Sequence, residues 1–157
     1  MNEEIQHNEL CQIAAKLIKR HGIGWRKPKY IVVEIELAGF EQPDIYCFGG
    51  ERSIMIEVKV SRSDFLADKK KWHRQHPENG VGECRYYLCP YQLISVDELP
   101  EKWGLLYYKD NKIEVIKNPE RQQSNTHSEL AIVSSVLRRE GFYNKIFSYK
   151  NYKSQGI

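Results

Sequence analysis

The sequence predicts an α/β or α+β domain: a mixed central sheet flanked by helices, extended by an extra hairpin and a C-terminal helix. Three observations carry this. An amphipathic stretch opens the chain, short alternating apolar runs fill residues 30–60, and a helix with further strands follows, each bounded by turn residues. At 157 residues the whole chain reads as one domain with a core over about 3–118 and a helical extension over about 126–157.

Residues 3–21 form the first predicted helix. Ile5, Leu10, Ile13, Ala14, Leu17 and Ile18 fall on one arc at 100° per residue, and Gly22 closes the helix. Glu9 sits at the edge of that arc, where it is either a solvated rim glutamate or a side chain directed at a site. A basic turn around Trp25, Arg26, Lys27, Pro28 and Lys29 leads into a strand over 30–37. There Glu34 and Glu36 share one side; they read as solvated strand glutamates or as neighbours of an acidic face. A second strand starts after Pro43, a Gly49–Gly50 turn follows, and a third strand spans 53–60. Ser61 or Ser63 caps a helix expected over 64–76, packed by Phe65, Leu66 and Trp72. Lys69, Lys70, Lys71, His73 and Arg74 make it strongly positive.

Pro77 ends that helix, and Asn79 to Gly82 form a loop. A fourth strand runs over 85–89. Residues 105–108 and 113–117 form the extra hairpin around Asp110–Asn111. A polar linker over 118–125 precedes the last helix, where Thr126 and Glu129 have capping-box spacing and Gly141 terminates the turn run. The tail over 142–157 is basic and aromatic, a partly ordered terminus or a stacking surface for single-stranded nucleic acid.

The chemistry concentrates on the second and third strands. Side chains alternate along a strand, so Ile54, Ile56, Val58 and Val60 share one face while Met55, Glu57 and Lys59 share the other. Glu57 and Lys59 therefore stand side by side, about 7 Å apart along the strand. Asp44 opens the adjacent strand and reaches the same place if the two strands pair. Two acids and a lysine converging on one face make a hard oxygen cation site with a charged assistant.

Pro43–Asp44, then twelve residues, then Glu57–Val58–Lys59 resembles the signature of the PD-(D/E)xK nuclease superfamily. The continuation from Val60 through Arg62, Asp64, Phe65, Asp68 and Lys70 is similar to a bacterial DNA-repair and phage-associated branch. So are Arg85 to Pro90 and Leu99 to Leu106; the resemblance covers roughly 28–118. It implies a restriction-endonuclease-like order of helix, three strands, helix, strand. It implies hydrolysis of DNA leaving 5′-phosphate ends, in repair or a mobile-element context. Asp44 and Glu57 would hold Mg²⁺, for which Mn²⁺ substitutes, with the Val58 backbone carbonyl as a further ligand and Lys59 beside the attacking water. A glutamate on the first helix often joins such a site, which makes Glu9 a candidate ligand. Arg62, Lys69, Lys70 and Arg74 are the candidate phosphate contacts.

Bulk composition is ordinary for a globular chain, with 41% hydrophobic and 29% charged residues. Net charge is only +3, so nucleic-acid binding has to come from a local patch. No apolar run spans a bilayer and no signal peptide is read, so no membrane partner and a cytoplasmic location are expected. Cys11, Cys47, Cys84 and Cys89 are expected as free thiols. DNA is the expected partner; a homodimer or a partner protein is left open. Two other readings compete: a DNA-binding module with the same fold but no catalysis, and a zinc-stabilised interaction module built from His73, His76, Cys84 and Cys89. The latter has loose spacing, and its two cysteines point to opposite faces of one strand.

Overall fold

A computed structural model describes residues 5–150. Its centre is a six-stranded sheet in the order β1 to β6: Tyr30–Val33, Ile45–Phe48, Ile54–Val58, Cys84–Pro90, Gly104–Lys109 and Lys112–Lys117. β1, β2 and β3 pair antiparallel, β3, β4 and β5 pair parallel, and β5 and β6 close the sheet as an antiparallel hairpin. The mixed sheet flanked by helices agrees with the sequence-based expectation.

The period-two pattern of the strands sorts their side chains onto two buried faces. On one, Ile45, Cys47, Ile54, Ile56, Val58, Tyr86 and Leu88 pack against Leu10, Cys11, Ala14 and Ile18 of α1 (His7–His21). On the other, Tyr46, Met55, Tyr87, Cys89 and Leu105 pack against Phe65 of α2 (Arg62–Asp68) and Ile132 of α4 (Thr126–Arg139). The face that carries Glu57 is thus a second core, and Glu57 is only 2% exposed. β3 is buried along its whole length, which explains its almost unbroken apolar run.

The turns follow their residues. Gly22 takes φ 76° and its N–H closes on the Ile18 carbonyl, ending α1. Asp110 and Asn111 both take positive φ, the geometry of a two-residue hairpin turn. Three expectations are corrected. The first strand stops at Val33, because Glu34 takes φ 50° and donates its N–H to the Asp44 carbonyl. The helix expected over 64–76 is two short helices, α2 and α3 (Trp72–Gln75), with Lys71 extended between them. The cap of α4 is Asn125, whose side chain accepts from the Ser128 N–H at 3.1 Å, rather than the Thr126 and Glu129 box. Glu129 is instead drawn into the core edge, accepting from Ser53 Oγ at 2.7 Å and the Gly82 N–H at 2.9 Å. The parts of the expected first helix before residue 5, and Tyr152 and Lys153 of the aromatic tail, lie outside the described residues. Within 142–150 there is no regular secondary structure.

Candidate active site

The hairpin register builds the site. Ile45 lies opposite Ile56 and Tyr46 opposite Met55, so one step further brings Asp44 opposite Glu57, as the sequence predicts. The next step sets Pro43 opposite Val58. The Val58 N–H donates to Asp44 Oδ2 at 2.8 Å, which fixes the aspartate at the end of the strand. Proline has no N–H, so the ladder supplies no donor to the Val58 carbonyl on that side. Two carboxylates and a backbone carbonyl therefore gather where β2 begins and β3 ends.

Glu57 and Lys59 meet as expected: Lys59 Nζ donates to Glu57 Oε2 at 3.2 Å. What the sequence reading missed is the cover over them. Asp68, at the end of α2, is fully buried and lies 3.2 Å from Lys59 Nζ, 2.7 Å from Lys71 Nζ and 2.8 Å from Arg74 Nε. Tyr87 donates its hydroxyl to Asp68 at 2.5 Å. Arg74 also reaches Glu57 Oε1 at 3.0 Å and Glu41 Oε1 at 2.6 Å, and its guanidinium stacks over Trp103. The helix break is what makes this possible. Six residues along an unbroken helix, Arg74 would lie about 240° round from Asp68; the extended Lys71 lets Arg74 turn back onto it. The acid-plus-lysine-plus-arginine spacing over 68–74 was the only trace of this in the sequence, and a continuous helix hid it.

Glu41, Glu57 and Asp68 are tied by ion pairs to Lys59, Lys71 and Arg74, and Asp44 stands beside them. Burial, and then the nearby Asp44 carboxylate, push the Glu57 carboxyl up to about 7. Burial alone would raise Asp68 too, but Arg74, Lys71, Tyr87 and Lys59 together hold it below the ordinary carboxylate range.

The remaining candidates separate. Glu9 is a correction: it is exposed, and its own N–H donates to Asn8 Oδ1. His7 and Cys11 are the α1 residues that face the site. Glu9 lies two residues from each, about 160–200° round the helix, and so points away. His7 Nε2 is 3.2 Å from Asp44 Oδ2, and Glu34 lies 3.9 Å from the other ring nitrogen. Arg74 is also corrected as a phosphate contact, since its side chain is 3% exposed and spent on three acids. Arg62 is exposed but held in a two-point pair with Glu98, at 2.6 and 2.8 Å. Lys69 and Lys70 are exposed as expected, and half-exposed Lys71 bridges them to the site. The zinc reading fails on geometry: Cys84 and Cys89 belong to opposite core faces, and His76 stacks on Trp72.

No protein-family model matches this chain, and no curated protein matches it. Among solved structures it is similar to SPO1766, a protein of unknown function from Silicibacter pomeroyi. The identity is 20%, the TM-score 0.58, and the match covers 93% of this chain and 100% of that one. The likeness shows a shared fold of mixed sheet and flanking helices. Among the described residues no helix is long and apolar enough to cross a membrane.

Proposed function

We propose that this chain is a Mg²⁺-dependent nuclease that hydrolyses DNA phosphodiester bonds, in a repair or mobile-element setting. The observation that carries the reading is the meeting of Asp44 and Glu57 across the β2–β3 register, with Pro43, which has no N–H to donate, set against Val58 and with Lys59 Nζ 3.2 Å from Glu57. These are hard oxygen donors, few in number, as Mg²⁺ prefers when it keeps water and phosphate oxygens in its shell. When bound, the ion supplies an activated water and neutralises charge on the phosphate. Lys59 is clamped by Glu57 and Asp68, so its ammonium is preset to stabilise negative charge developing at phosphorus. Lys69 and Lys70 offer sequence-blind contacts to the flanking phosphates.

One observation favours a second reading, a DNA-binding module without catalysis. Both Glu57 oxygens already have cationic partners, Arg74 on one and Lys59 with Lys71 on the other. The test is cleavage of labelled single-stranded, duplex and branched DNA with Mg²⁺, Mn²⁺ or EDTA, beside Lys59→Ala. The nuclease reading expects metal-dependent cutting that falls about 10²–10³-fold in the variant. DNA bound but uncut by both proteins selects the binding module. Cutting that survives EDTA or is untouched in the variant overturns the assigned site.

A further inference from the structure

A different set of donors stands on the α1 side of Asp44. His7 and Cys11 are four residues apart on one helix and so share a face one above the other. Cys11 Sγ is 3.9 Å from His7 Nδ1, and His7 Nε2 is 3.2 Å from Asp44 Oδ2. One ligand atom from each of His7, Cys11 and Asp44 lies within 4.8 Å of the others. Tetrahedral zinc with nitrogen, sulfur and oxygen ligands at about 2.0–2.3 Å needs ligand separations of about 3.3–3.8 Å, so binding through one ring nitrogen requires the three side chains to draw together from within 4.8 Å. Glu34 flanks the imidazole at 3.9 Å. It is held there by a backbone turn at φ 50°, a conformation costly for a non-glycine residue, and by its N–H bond to the Asp44 carbonyl.

We propose that His7, Cys11 and Asp44 form a site for a thiophilic divalent ion of the zinc type, with water completing the shell and Glu34 beside the imidazole nitrogen that the ion leaves free. Imidazole and thiolate are soft donors that discriminate against Mg²⁺, so this site and the hard oxygen site select different ions. Binding releases the Cys11 thiol proton to solvent, and the ion takes the thiolate. The two sites share Asp44. A soft ion on His7 and Cys11 therefore draws that carboxylate away from the hard site, so zinc antagonises magnesium; this coupling to cleavage rests on the nuclease reading, whereas the binding itself does not.

The test uses Co²⁺ as a spectroscopic stand-in, added to the reduced full chain without DNA. The expected result is one Co²⁺ per chain, a near-ultraviolet thiolate-to-cobalt band, and its loss when Zn²⁺ displaces the cobalt. Cys11→Ser removes that band, His7→Ala weakens binding about tenfold or more, and Glu9→Ala changes neither. His7 and Glu9 are not buried, so those two variants keep the fold even if the Cys11 substitution does not. Absence of a thiolate band in the folded wild-type chain overturns the proposal, as does a band unchanged in His7→Ala. Because the readout is optical, it stands or falls separately from DNA cleavage.

Discussion

Asp68 is the residue on which the buried ionic cluster turns. It is enclosed by Lys59, Lys71, Arg74 and Tyr87, and no apolar side chain of its size supplies those four contacts. Removing one charge from a buried cluster leaves its partners uncompensated, so Asp68→Asn is expected to cost about 3–5 kcal/mol. The pH dependence has a definite sign. The folded carboxyl titrates below its ordinary value of 3.8, so the unfolded chain takes up the proton first on acidification. The stabilisation from Asp68 is present above about pH 4 and lost as pH falls through the folded value. Urea midpoints measured at pH 7 and pH 3 check this: the wild type loses stability between them, and Asp68→Asn loses less. A variant with the same acid slope as the wild type contradicts the assignment. Asp44, Glu57 and Lys59 were legible in the sequence because strand alternation and one hairpin register suffice to bring them together. Asp68 and Arg74 were not, since their meeting needs a helix to break. His7 was missed for a simpler reason. The resemblance points to a glutamate on the first helix, and Glu9 lies two residues away from the face that points at Asp44.

At the scale of elements, the break between α2 and α3 divides the basic run by task. Lys71 and Arg74 turn inward to Asp68 and Glu57, while Lys69 and Lys70 stay in solvent. Arg62 is occupied by the half-buried Glu98; hydrogen bonds from Arg62 and Ser95 pull the Glu98 carboxyl down to about 2. If DNA runs along this segment, replacing Lys69 and Lys70 with alanine weakens binding at low salt. It lowers the slope of log affinity against log salt by about 0.9 for each duplex phosphate contact removed. Arg62→Ala leaves that slope unchanged. Fluorescence anisotropy across a salt series reads both, and a slope unmoved by the lysine pair places the DNA elsewhere. The same lesson about legibility appears at α4. Asn125 and Thr126 are both good caps by local chemistry, and the choice falls to Asn125 because Glu129 is claimed by Ser53 and Gly82, residues 76 and 47 positions away. Local rules name the candidates; distant partners choose among them.

Over the whole molecule, the sheet order brings one end of α1, the β1 exit, the β2 entry and the β3 exit together, and α2 and α3 fold over them. The alternating strands, the glycine turn and the mixed character of the sheet were legible, because each follows from side-chain period and turn residues. That both sheet faces are buried was not, since the cover of the Glu57 face depends on a break between α2 and α3 that the basic run does not signal. The likeness to SPO1766 supports the fold as a unit. The central claim is that this convergence holds a hard divalent ion between Asp44, Glu57 and the Val58 carbonyl. The most direct measurement is anomalous diffraction from a crystal of the chain soaked in Mn²⁺. The account predicts a manganese peak between the Asp44 and Glu57 carboxylates and within about 2.3 Å of the Val58 carbonyl oxygen. Saturating Mn²⁺ that leaves no peak there, with Arg74 and Lys59 still closed on Glu57, would contradict it.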